Sequence, residues 1–235
     1  MTNSNVNQTV DWIESYFTFY TNSLDEIRTL LNQSDQLDII YKNLHPDFNF
    51  EDISTFKSQL NFTGFLTISI LDLLVISKNI LISKFQWERF HQLKLGYLTI
   101  YESIATYHRH NEISSLAKTD TKSFELHKSI SADLKAFKIA FDYPNAFLDI
   151  RNTTIAHVDK DFKSYYDTIS KIDGDKYSQA ILSFLKIIFK MQELSKYLSD
   201  NLILQKDGEV FDLDKLVNDM SEKVKLKLHE LKNYR

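Results

Sequence analysis

Cysteine is absent from the 235-residue chain, which excludes disulfide staples, thiol nucleophiles and thiolate-bound zinc. Glycine and proline are scarce. Four Gly and two Pro are too few for the turns a sheet protein of this length needs, so helices joined by short polar loops are expected. No Gly-rich phosphate loop, dinucleotide fingerprint or activated serine motif occurs, which argues against most cofactor enzymes. Long apolar runs are lacking too. The most apolar stretch, Phe65 to Ser77, falls below the ~20 residues that span a bilayer and is interrupted by Asp72, so it reads as a core helix and no membrane partner is expected. Met1-Thr2-Asn3-Ser4-Asn5 has neither the basic nor the apolar region of a secretion signal, making the cytoplasm the expected compartment. Nor is there excess positive charge. A net charge of -4 disfavours a broad electrostatic grip on nucleic acid and confines any RNA contact to a local patch.

What the chain does have is apolar residues at three- and four-residue spacing. Val10, Ile13, Phe17, Tyr20, Leu24, Ile27 and Leu31 predict a helix over Gln8 to Asn32, followed by a short apolar segment at Ile39 and Ile40 and a break at His45-Pro46-Asp47. A long helix over Ile53 to Lys84 is apolar on nearly every side at its centre, which implies burial, with Gly64 suited to close packing. Helices follow over Phe85 to Asn111 and Ser123 to Phe141. Tyr143-Pro144 then opens a short helix through Ala146, Phe147 and Ile150 that carries Arg151 and fades near His157. After a turn at Asp173-Gly174-Asp175, a strongly periodic helix covers Lys176 to Asn201, and Leu213 to Leu231 makes a last one with Lys223, Lys225 and Lys227 on a solvated face. The expected fold is an all-α helical bundle, divided into an N-terminal extension (1–84), a core bundle (85–205) and a C-terminal helix (206–235).

One segment carries chemistry: Arg151-Asn152-Thr153-Thr154-Ile155-Ala156-His157. Arg followed by a polar residue and, a few positions on, by His resembles the signature of the HEPN superfamily (higher eukaryotes and prokaryotes nucleotide-binding). The resemblance covers about Phe85 to Asn201. It implies a compact, dimerising helical bundle, a HEPN-like core here preceded by extra N-terminal helices, and in many members a metal-independent endoribonuclease. Such enzymes serve toxin-antitoxin, phage-defence or RNA-processing systems, with an antitoxin or a nucleotidyltransferase as partner. Other members only bind RNA, a nucleotide or a protein.

The chemistry fits. Metal-free RNA cleavage needs a base near neutral pKa to take the 2′-hydroxyl proton, which suits His157. It also needs a permanent cation donating paired hydrogen bonds to the phosphate oxygens, which suits Arg151. The resemblance gives Asn152 the role of orienting phosphate or imidazole, and it implies 2′,3′-cyclic phosphate and 5′-hydroxyl products with no cofactor and no metal. Glu102, on the neighbouring helix, is a candidate for orienting a charged member of the site.

Six residues of regular helix turn through about 600°, which leaves Arg151 and His157 about 120° apart in projection. Either the helix ends before His157, or two chains of a homodimer each supply one residue of the site. Plainer readings stand beside these. Arg151 pairs at the surface with Asp149 or Asp161, His157 sits at a helix end where the dipole favours it, and Asn152 and Glu102 are ordinary solvated or ion-paired residues. His157, Asp159 and Asp161 alternate in a way that would also suit a divalent cation. His108 and His110 point to opposite sides of a helix end, and the 17 Phe and 12 Tyr read as core.

Overall fold

The computed structural model describes residues 3–44, 51–152, 162–170 and 174–204. Of these, 94% are helical and none is in a strand. The chain is an all-α helical bundle. Its elements are α1 (Asn3–Leu44), α2 (Glu51–Ile82), α3 (Gln86–Arg109), α4 (Asn111–Leu116), α5 (Thr121–Ala140), a π-helical turn (Tyr143–Phe147), α6 (Leu148–Ile150), α7 (Phe162–Ser170) and α8 (Gly174–Leu204). Two compact units are distinguished, Met1–Ser195 and Lys196–Arg235. The second contributes only the last turns of α8, to Leu204, to the described residues.

Helix α1 runs past Asn32 to Leu44, absorbing the segment at Ile39 and Ile40 that the sequence suggested was separate. Neither Gly nor Pro intervenes, so nothing interrupts the hydrogen-bond ladder. Within it, buried Ser34 donates to the Leu30 carbonyl at 2.8 Å. Helix α7 was not anticipated, although Phe162, Tyr165, Tyr166 and Ile169 recur at helical spacing within its nine residues. The break at His45-Pro46-Asp47 and the helix expected over Leu213 to Leu231 lie outside the described residues.

Helix α2 organises the first unit by packing against α1, α3 and α4. Phe62, Leu66, Ile70 and Leu73 are sealed from solvent, as are Ile100 and Ile104 of α3 and Phe184 and Ile188 of α8. Burying each such side chain contributes about 1.5–3 kcal/mol relative to leaving it exposed. Some hydroxyls inside are paired across helices. Ser103 donates to Ser69 at 3.0 Å, and the hydroxyls of Thr63 and Ser195 meet at 2.7 Å.

The all-round burial expected for the centre of α2 is not what is found. Ile68, Val75 and Ile82, seven residues apart, stay exposed on one side. The stretch Ile53–Ile82 is also long and apolar enough to cross a membrane by length and composition, with 39% of its most apolar window buried in the fold. The run is longer than Phe65 to Ser77 because isoleucines continue toward both ends of the helix.

Gly96 has the least room of the described glycines. A Cβ added there would lie 2.8 Å from Cδ1 of Ile181, so the Ile181 side chain would have to shift to admit it. Gly64, expected to serve close packing, does not need to be glycine. A Cβ there would make ordinary contact with Ile27, at 3.5 Å.

Candidate functional site

The segment that delivers Arg151 is built by a sharp change of direction after α5. That helix starts at Asp120, whose carboxylate accepts from the backbone N–H of Lys122 at 2.8 Å and of Ser123 at 3.2 Å. It stops where Asp142 adopts a left-handed conformation, φ 49°, one that Asp tolerates better than most residues. The Asn145 side-chain amide donates to the Asp142 carboxylate at 2.8 Å and fixes the bend. Pro144, lacking an N–H, then occupies the first turn of the π-helical segment at no cost in hydrogen bonds.

Phe147 anchors that segment. It is 1% exposed, with its ring 4.0 Å from the Tyr97 ring centroid and 6.0 Å from that of Phe137. Ile150 is buried next along the chain. With these two side chains turned inward, α6 lies against α3, and Arg151 emerges beside Glu102.

The Arg151 guanidinium has three neighbours. Its Nε donates to Oε1 of Glu102 at 3.3 Å, and its Nη1 donates to Oδ1 of Asn152 at 3.4 Å. Its Cζ lies 5.1 Å from the ring centroid of Tyr101. Arg151 and Glu102 are 39% and 46% exposed, so the pair adds at most about 1 kcal/mol to stability and its main effect is geometric. The remaining N–H groups of Arg151 have no acceptor among the described residues. A cation held by one edge keeps donors for an external anion.

The structure therefore brings together Arg151, Asn152 and Glu102. His157 and the neighbouring Asp159 and Asp161 lie outside the described residues. The carboxylate observed beside Arg151 is Glu102, which α3 presents from 49 residues away, while pairing with Asp149 or Asp161 concerns side chains outside the described residues. Arg151 and Asn152 themselves continue from α6 in a π-helical turn, so the angular offset calculated for a regular helix does not carry through this segment.

Aromatic residues complete the surroundings, although by sequence alone they read as core. Tyr101 and Tyr143 stack at 5.7 Å with 13° between their planes, and the Tyr143 hydroxyl donates to the Tyr101 carbonyl at 3.5 Å. Burial, with Tyr101 and Glu102 nearby, pushes the Tyr143 phenol up to about 12, so it stays protonated at neutral pH and is no base. Lys138 lies over the other member of this stack, its Nζ 5.4 Å from the Tyr143 centroid and 3.2 Å from Nε2 of His108. Burial, and secondarily Lys138, lowers the His108 pKa. Only the position of Tyr143 beside Pro144 hinted at a special role.

Among the described residues no group of three or more His, Asp or Glu side chains is placed to hold a metal ion. No protein-family model matches the sequence, and no curated protein or solved structure matches it either.

Proposed function

We propose that this protein is a metal-independent endoribonuclease of HEPN type, with Arg151, Asn152 and His157 as its catalytic residues and Glu102 as a positioning residue. The observation that carries the reading is the seat of Arg151. A partly exposed guanidinium is tethered through Nε to Glu102, flanked by Asn152 and keeps further donors open, six residues before a histidine.

In the proposed reaction His157 takes the proton of the 2′-hydroxyl. The resulting oxygen attacks the adjacent phosphorus, and the bond from phosphorus to the 5′-oxygen breaks. The leaving oxygen takes up a proton, giving a cyclic phosphate and a 5′-hydroxyl. Arg151 stabilises the extra charge on the phosphate oxygens as the bond forms. Glu102, accepting from Nε, holds the guanidinium plane, much as a carboxylate fixes the ring of a working histidine.

The test is cleavage of single-stranded RNA by the purified protein in EDTA. His157→Ala removes the proton acceptor, and Arg151→Lys keeps the charge but loses the planar paired donors, so each should slow cleavage at least ~100-fold while the fold survives. A homodimer sharing its sites between two chains adds a further expectation. Mixing the two inactive variants should restore about a quarter of wild-type activity, since half the dimers are mixed and each carries one intact site. Undiminished cleavage by the double variant would reject the site. A protein that retains RNA uncut, with affinity lost in Arg151→Ala but not His157→Ala, would be the non-catalytic binding module instead.

A further inference from the structure

Two cations sit on one aromatic stack. Arg151 covers Tyr101 at 5.1 Å, Tyr101 stacks on Tyr143 at 5.7 Å, and Lys138 covers Tyr143 at 5.4 Å. The stack joins three elements, α3, α5 and the π-helical turn, so packing places its two rings, and each ring carries one cation.

Lys138 differs from several other ordered lysines of the fold. Lys57 pairs with Asp35, Lys78 with Glu14 and Lys190 with Asp133. Lys138 has no carboxylate partner among the described residues and is held by a ring face and an imidazole. An ammonium has no lone pair, so at His108 it must donate, and the Nε2 it meets must be unprotonated. Neither Tyr143 nor a neutral His108 cancels its charge. A lysine in the last turn of α5 also complements the helix dipole. That role needs neither the tyrosine nor the histidine.

We propose that Lys138, positioned by Tyr143 and His108, is a second phosphate-binding cation working with Arg151, so that the Tyr101–Tyr143 stack spaces two cations to hold two phosphates of one single-stranded RNA. This rests on the reading of Arg151 as an RNA-contacting residue. A protein of net charge -4 has no general attraction for RNA, so a small number of fixed cations must supply the grip. Single strands are held without reading sequence in part by cations that track the backbone, the role these two can fill.

Binding of a fluorescent 2′-O-methyl RNA octamer, which lacks the attacking hydroxyl, to the full-length protein at a series of salt concentrations tests this. Each phosphate contact on a single strand contributes about 0.7 to the slope of log affinity against log salt. Lys138→Gln should reduce the slope by about 0.7 and weaken binding alike for different sequences. Lys138→Arg should keep the slope, and Lys128→Gln, at an exposed lysine of the same helix, should leave it unchanged. An unaltered slope in a folded Lys138→Gln protein would overturn the inference, as would competition by inorganic pyrophosphate as effective as that by the octamer. If wild type cuts unmodified RNA in EDTA while Lys138→Gln keeps the wild-type slope, the inference fails and the proposed activity stands. If wild type neither binds the octamer nor cuts RNA, both fail together.

Discussion

Glu102 holds Arg151 by a single long hydrogen bond to Nε, so its contribution is to orient a cation rather than to stabilise the protein. Glu102→Ala should therefore shift stability by no more than about 1 kcal/mol, since both partners are substantially exposed, yet slow RNA cleavage by roughly 10-fold or more. Thermal melts and cleavage rates on the same preparation separate the two effects, and an unchanged rate would reduce Glu102 to a plain surface carboxylate. Glu102→Gln keeps an acceptor oxygen and should fall between the two. How far the site can be read from sequence is set by where its partners come from. Arg151, Asn152 and Glu102 were legible because the motif marks the first two and helix periodicity sets Glu102 apart from the buried stripe of α3. Lys138 and Tyr143 were not. Tyr143 reaches Tyr101 after Asp142 turns the chain through a left-handed conformation, no spacing rule links it to a residue 42 positions earlier, and Lys138 joins the site through Tyr143.

At the scale of elements, periodicity located most of the helices but not their ends or their contacts. The Gln8 to Asn32 stripe was a fair guide to α1, yet the helix runs to Leu44 because an absence of breakers, not a stripe, decides where it stops. Glycine shows the limit most clearly. Gly64 and Gly96 both lie in helices, and only the distance to Ile181 reveals that Gly96 is the one with a side chain pressed against it. Gly64→Ala should stabilise the protein by about 0.5–1 kcal/mol, the usual gain on replacing a helical glycine where there is room. Gly96→Ala makes the same backbone gain but crowds Ile181, and should lose about 1 kcal/mol net. Shortening the obstructing side chain, in Gly96→Ala/Ile181→Val, should cost less than the sum of the two single changes. Denaturant titration of the four variants measures this, and a stabilised Gly96→Ala would show that the Ile181 side chain gives way at little cost.

For the molecule as a whole, protonation opposes packing at three partly buried histidines. His110 lies against the rings of Phe62 and Phe65, at 5.1 and 5.6 Å, and His127 stacks near Tyr107 at 6.5 Å. Burial is the first cause that lowers the pKa of His108, His110 and His127 below the ordinary 6.5, with Lys138, Arg109 and Lys118 respectively adding to it and Glu112 opposing it at His110. Below about pH 6.5 the unfolded chain thus binds more protons than the folded one. Stability should be full above that pH and decline as pH falls toward the lowered folded values. Asp72, whose pKa is raised from 3.8 by burial, acts in the opposite sense and nearer the acid end. The Tm should accordingly drop from pH 8 to pH 5.5, less so in His110→Gln, and a flat profile would contradict this. None of these properties requires the protein to be an enzyme. The claim that it is one is met most directly by the ends of the RNA fragments formed in EDTA. Mass spectrometry of a defined oligonucleotide should find 2′,3′-cyclic phosphate and 5′-hydroxyl termini, with no cut on the 3′ side of a nucleotide whose 2′-hydroxyl is removed. Fragments with 5′-phosphate ends, cutting that ignores the missing hydroxyl, or intact RNA would contradict the account.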